Sequence, residues 1–159
     1  MIDQAIFYAT LAAAVGSGLV AGIFYAFSSF VMRALGRVPA AHGMEVMQTI
    51  NVVVINRSFM LVFFGTALLC CGLLIAAYLR WHDGDGRLLL LGSLLYLVGT
   101  IGVTMVFNVP LNDALAAAKP DSAESAPLWA HYRERWTMWN TVRTVVPAAA
   151  MVLFILALR

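Results

Sequence analysis

Four stretches of this chain are each long and apolar enough to cross a bilayer, and lipid as solvent leaves few ways to fold. Spanning the hydrocarbon takes roughly 20 mostly apolar residues in a helix. Residues 5–32, 58–79, 88–107 and 136–158 meet that requirement; the first three carry no charge and the last carries one, Arg143. Lipid offers backbone groups no hydrogen bonds, so each stretch is expected to be α-helical. Composition agrees: 62% of residues are hydrophobic and 11% charged, against roughly 45–50% and about 25% in soluble domains. The expected fold is all-α, an integral membrane four-helix bundle forming a single domain over residues 1–159. A net charge of +2, scattered along the chain, points to no nucleic-acid partner.

The connections differ in kind. "RWHDGDGR" (80–87) is a short polar turn with Gly84 and Gly86, which makes the second and third spans antiparallel neighbours. In "RALGRVPAAHGMEVMQTINVVVINR" (33–57), Gln48, Asn51 and Ile55 follow helical spacing. An additional amphipathic helix is therefore expected between spans one and two, running from about Ala40 into the second span. Pro110 is expected to end the third span, "KPDSAESAP" (119–127) reads as a linker, and helix should resume near Leu128. The opening "MIDQAIFYAT" has no basic segment before its long apolar run, so it reads as a retained membrane helix rather than a cleaved signal. Cys70 and Cys71 are adjacent in an apolar run and read as small packing residues. Ala14, Gly18, Gly22 and Ala26 recur every fourth position, a stripe that lets a neighbouring helix come close. It is assigned to packing inside the bundle, with a homo-oligomer as the alternative use. Lys and Arg are more numerous in the two larger connections than on the side of the termini. By the positive-inside tendency those connections face the cytoplasm, in a membrane of the bacterial inner (plasma) type.

Three polar clusters stand out. On a helix, Trp129, Tyr132, Trp136, Trp139, Asn140 and Arg143 share a stripe about four turns long. Tryptophan and tyrosine favour the interface, but an arginine in a membrane helix costs upward of about 2.5–3.5 kcal/mol unless it faces protein or water. Arg143 either snorkels to the headgroups or points inward. In "TMVFNVPLND" (104–113), Thr104, Asn108 and Asn112 are four apart; Asn108 suits an interhelical partner, a cap at the proline break, or a polar ligand. In "MQTINVVVINR" (47–57), Gln48 and Asn51 share a face. Connectivity puts all three clusters at one end of the bundle, where they are expected to form a pocket of aromatics, amides and an arginine.

These residues carry a resemblance. The pieces at 47–60, "FNVPLND" at 107–113 and "WAHYRERWTMWNTVRT" at 129–144, in this order and spacing over nearly the whole chain, resemble the anthrone oxygenase-like family of small four-helix membrane proteins. The resemblance implies that Asn51, Asn108, Pro110, Asn112, Trp139, Asn140 and Arg143 match recurring positions. Thr141 stands where many members have histidine, and Arg57 where proline is frequent. Fungal members are linked to oxidation of anthrones to anthraquinones, while most bacterial members have no assigned reaction.

Two functions follow as expectations. The first is an oxygenase-like protein acting on a hydrophobic phenolic or polycyclic, anthrone-like substrate. An anthrone loses a methylene proton to give a delocalised anion that reacts with oxygen, so no cofactor and no metal are expected. Arg143 and Asn108 would be the catalytic residues, stabilising the oxyanion, with Gln48, Asn51, Asn112, Tyr132, Trp136, Trp139 and Asn140 binding substrate. Asp113, His131 and Glu134 are the nearest candidate bases, and His42, His82 and His131 share no metal-ligand spacing. The alternative is a non-catalytic membrane protein that binds a lipid, quinone or hydrophobic metabolite, or supports a partner protein. Either way the partners are membrane lipid and a hydrophobic small molecule.

Overall fold

A computed structural model describes residues 4–81 and 84–159, and among these residues it is helical without strands. Helix α1 spans Gln4–Leu35, α2 Ala40–Val53, α3 Arg57–Leu79, α4 Asp85–Ala117 and α5 Ser125–Ala157. Helices α1, α3, α4 and α5 are long and apolar enough to cross a membrane; the chain is an all-α membrane protein with the additional short helix α2. Part of the 80–87 turn, including His82, lies outside the described residues. Around the bundle the order is α1, α3, α4, α5 and back to α1, with α3 and the first half of α4 packed as antiparallel neighbours. Arg80 pairs with Asp85 across their turn at 3.7 Å, and a Cβ at Gly86 would overlap the Arg80 carbonyl.

Helices α1, α4 and α5 have 32, 33 and 33 residues. At 1.5 Å per residue that is about 50 Å, well beyond the roughly 30 Å hydrocarbon layer. Helix α2 packs against α5, the last turns of α4 and the end of α1, all at the end of the bundle that carries the larger connections. Two apolar clusters divide the interior. One joins Ala13, Val20, Phe24, Phe63, Leu73, Tyr96 and Phe154; the other joins Met32, Met44, Met47, Leu115, Trp129, Tyr132 and Trp136. Along α1, α4 and α5 alike, Ser28, Asn108, Asn140 and Arg143 fall between the two. The core is thus interrupted by one polar layer.

Three expectations are revised by this architecture. Pro110 does not end the third span: a widened π turn, Thr104–Asn108, leads into regular helix Val109–Ala117, with Pro110 in its first turn. Its missing N–H falls where the π turn has already interrupted the regular hydrogen-bond ladder. Helix α2 stops at Val53 instead of running into the second span; the Asn56 side chain caps a fresh helix by accepting from the Phe59 N–H at 3.0 Å. Helix α5 starts at Ser125, three residues before Leu128. The small-residue stripe of α1 packs inside the bundle over its first half only. Ala14 is buried in the core and a Cβ at Gly18 would lie 2.7 Å from Met151 Sδ of α5, just as one at Gly16, off the stripe, would collide with the Thr66 side chain of α3, whereas Gly22 is exposed with nothing within 4 Å. A strict repeat of four advances about 40° per step around a helix of 3.6 residues per turn, so the stripe winds off the interface.

Candidate functional site

Helix α5 turns Tyr132, Trp136, Asn140, Arg143 and Pro147 inward, a run of buried residues at three- and four-residue spacing. Arg143 is 4% exposed and does not snorkel. Its Nη1 donates to the Thr104 hydroxyl at 3.1 Å and its Nη2 to Asn140 Oδ1 at 3.0 Å. The guanidinium carbon lies 4.3 Å from the Phe24 ring centroid and 5.3 Å from that of Trp136, a geometry in which the ring quadrupoles attract a cation. Its Nε is buried and makes no hydrogen bond. Among the described residues no carboxylate pairs with it, so this charge is held by neutral partners and by aromatic faces.

The bracing extends into neighbouring helices. Asn140 is fully buried; its Nδ2 donates to the Phe24 carbonyl at 2.7 Å and to the Ser28 hydroxyl at 2.8 Å. Both acceptors flank the start of the π turn Phe27–Val31. A side chain inserted beside a helical hydrogen-bond ladder is a known cause of such widening, and π turns concentrate at functional sites. On α4, Thr104 donates to the Thr100 carbonyl at 2.7 Å while it accepts from Arg143.

Arg143 opens onto a cavity of about 250 Å³ whose walls come from all five helices. Phe24 and Phe27 of α1, Met47, Ile50 and Asn51 of α2, Phe59 and Phe63 of α3, Thr104 and Asn112 of α4, and Trp136 and Arg143 of α5 line it. Its floor is pinned where the Tyr96 hydroxyl donates to the Phe63 carbonyl at 2.9 Å. Asn112 Oδ1 accepts from both the Tyr132 hydroxyl, 2.9 Å, and the Trp136 indole N–H, 2.8 Å. An indole nitrogen can only donate, which fixes the amide orientation and leaves Asn112 Nδ2 without a protein partner. Asn51 Nδ2 is buried beside the Tyr132 hydroxyl without an aligned hydrogen bond. Beside the guanidinium, the polar lining thus leaves the Asn112 Nδ2 donor and the Asn51 Oδ1 acceptor without protein partners among the described residues.

Of the residues picked out from the sequence, Arg143, Asn51, Asn112 and Trp136 line this cavity. Asn140 and Tyr132 stand directly behind them, holding Arg143 and Asn112. Asn108 is fully buried, but its Nδ2 donates to the Trp136 carbonyl at 3.2 Å, its Oδ1 is unpartnered, and it is not part of the cavity wall. Gln48 is occupied elsewhere: its Nε2 donates to the Leu115 and Ala118 carbonyls at 2.8 and 3.1 Å, closing the end of α4. Trp139 stacks on Phe107 with centroids 3.6 Å apart and planes 8° from parallel, away from the cavity. The sequence does not mark Thr104 or the five phenylalanines Phe24, Phe27, Phe59, Phe63 and Phe64 as site residues. Phe24 with Phe27 and Phe59 with Phe63 repeat at helical spacing, but inside apolar runs nothing marks them from ordinary core. Asp113, His131 and Glu134 are exposed and none lines the cavity. Among the described residues no three His, Cys, Asp or Glu side chains cluster closely enough to hold a metal ion.

A membrane helix bundle with a buried arginine over an aromatic-walled, donor-lined cavity defines the class of protein. The chain belongs to the anthrone oxygenase family, whose family model, described as anthrone oxygenase, matches residues 59–153. That range includes Asn108, Asn112, Trp136, Asn140 and Arg143, and leaves Gln48 and Asn51 ahead of it. No curated protein and no solved structure matches the chain.

Proposed function

We propose that this chain is a membrane-embedded oxygenase-like protein that binds a hydrophobic phenolic or polycyclic, anthrone-like substrate in the cavity at Arg143. The observation that carries the reading is the unneutralised guanidinium of that cavity. The lining offers it together with the Asn112 amide N–H, and among the described residues no carboxylate neutralises the charge. Such a site complements a flat ring system bearing carbonyl or phenolate oxygens. Loss of a methylene proton puts negative charge on the anthrone oxygen, and Arg143 stabilises it in surroundings where fixed charge is little screened. Oxygen adds to the carbanion carbon as a hydroperoxide, which loses water to give the quinone carbonyl. Trp136 and Phe24, already under the guanidinium, would face the rings. Asn112 suits the second-donor role better than Asn108, whose amide is committed to a backbone carbonyl, or Asn51, whose Nδ2 is buried beside Tyr132.

One observation favours the binding alternative, a protein that holds a lipid, quinone or hydrophobic metabolite without turnover: no side chain lining the cavity is a strong general base. Oxygen uptake with emodin anthrone separates the two. Uptake by the intact protein, lost in Arg143→Ala and reduced more in Asn112→Ala than in Asn108→Ala at equal folded fraction, supports the oxygenase. No protein-dependent uptake, with a co-purifying hydrophobic molecule displaced by Arg143→Ala, supports the binder. For sidedness, the inward position of Arg143 removes it from the loop count. Arg33, Arg37, Arg57, Lys119, Arg133 and Arg135 then stand against Arg80, Arg87 and Arg159, which favours cytoplasmic larger connections in a plasma membrane of the bacterial kind.

A further inference from the structure

We infer that the ligand of this cavity is a single-tailed amphiphile, with its polar ring at Arg143 and its apolar tail leaving the bundle between α3 and α4 into the bilayer. The inference rests on the reading of the cavity given above and adds a substrate class to it. The observation behind it is a gap in one wall. Helix α3 packs along the first half of α4, but from Thr104 onward the two helices lose that contact. On this side the cavity wall consists of Met60 and Phe64 from α3 and Met105 and Val109 from α4. Phe64 and Met105 line the cavity and are also 51% and 56% exposed, within the membrane-spanning lengths of α3 and α4. In the inferred arrangement the opening to lipid lies between them.

Depth decides what can occupy the gap. Phe64 lies seven residues into α3 from Arg57, and Arg143 eight residues beyond Arg135; both are about 10–12 Å along their helices from the polar boundary. A phospholipid would have to draw its phosphate that far from the headgroup layer to meet the guanidinium, at a large desolvation cost. A phenol or quinone ring is weakly polar and does not incur it. A tail in the gap exchanges lipid contacts for similar apolar contacts, so its length is nearly neutral. In a sealed chamber of about 250 Å³ a long tail would instead exclude the molecule.

The test uses the full-length protein in phosphatidylcholine nanodiscs, with 5-methylresorcinol and 5-pentadecylresorcinol as probes. Affinities come from thermal-shift titration, expressed per mole fraction in the lipid so that partitioning cancels. The expected result is that the two probes bind within about threefold of one another. Phe64→Trp combined with Met105→Trp should weaken the pentadecyl compound at least about tenfold more than it weakens the methyl compound. If that pair disturbs folding, Phe64→Cys with Met105→Cys in a Cys71→Ser background, bridged by a reducible bifunctional thiol reagent, gives the same comparison before and after reduction. A native preference of more than about tenfold for the methyl compound overturns the inference. So does a closed gap that leaves pentadecyl binding untouched, or a bound phospholipid expelled by closing the gap while pentadecylresorcinol stays. Methylresorcinol binding that is lost in Arg143→Gln keeps the cavity reading intact whatever the tail does. If neither probe binds, the cavity reading fails and the tail inference with it.

Discussion

Asn140 Oδ1 accepts a hydrogen bond from Arg143 Nη2 at 3.0 Å, while the same amide's Nδ2 holds the Phe24 carbonyl of α1 at 2.7 Å. One side chain thus sets the direction of the buried cation and ties it to the helix whose Phe24 ring lies under it. An aspartate at this position would keep the acceptor but supply the carboxylate that the layer lacks. Asn140→Asp should therefore lower the affinity for an anionic or quinone ligand at least about tenfold, because Arg143 would already be paired. Asn140→Ala should cost about 1–3 kcal/mol through unsatisfied buried partners. Ligand titration and thermal unfolding in detergent read the two effects; unchanged affinity in Asn140→Asp would contradict the role given to Arg143.

The two tryptophans of "WTMW" do different jobs. Trp136 lines the cavity and anchors Asn112, whereas Trp139 stacks on Phe107 outside it. Trp136→Leu should weaken ring-ligand binding by about tenfold or more. Trp139→Leu should lower the melting temperature, by an aromatic-pair loss of about 0.5–1.5 kcal/mol, at unchanged affinity. Equal loss of binding in both would mean that Trp139 reaches the ligand.

Gln48 is a clamp on the end of α4. Gln48→Leu is expected to destabilise the fold by about 0.5–1.5 kcal/mol per hydrogen bond lost and to leave the dissociation constant of a cavity ligand within about twofold. A tenfold loss of binding at full folded fraction would return Gln48 to the site.

The packing face of α1 has an equally plain test. Gly16→Leu should prevent α1 and α3 from closing, because Thr66 already occupies that space; Gly22→Leu should be tolerated, since nothing lies near it. The yield of monodisperse protein after detergent extraction reads this directly. The reverse order would extend the packing of the 14–18–22–26 stripe to its second half.

Much of this architecture is legible in the sequence because lipid simplifies the problem. Four uncharged or nearly uncharged runs become four helices, and spacing puts Tyr132, Trp136, Asn140 and Arg143 on one stripe, although it includes Trp139 as well and does not say whether the stripe meets protein or headgroups. Connectivity also puts the three polar clusters at one end. Local hydrogen bonding is what the one-dimensional pattern does not carry. Nothing in the residue types says that Asn112 will serve two donors, that Asn108 will be spent on the Trp136 carbonyl, or that Gln48 will close α4. Those outcomes depend on sub-ångström placement of neighbouring helices, and on the π turns at Phe27–Val31 and Thr104–Asn108 that shift side chains around their axes. The aromatic wall escaped for a different reason: Phe24, Phe59 and Phe63 look the same whether they face core, cavity or lipid.

A ligand-bound structure in lipid, solved with 1,8-dihydroxyanthraquinone as a stable product-like compound, bears on the core of this account most directly. The account expects the tricycle in the cavity against Trp136 and Phe24, with a ring oxygen about 3 Å from the Arg143 guanidinium. A guanidinium turned outward to the lipid, or a tricycle bound anywhere else on the bundle with the cavity left as it is, would contradict it.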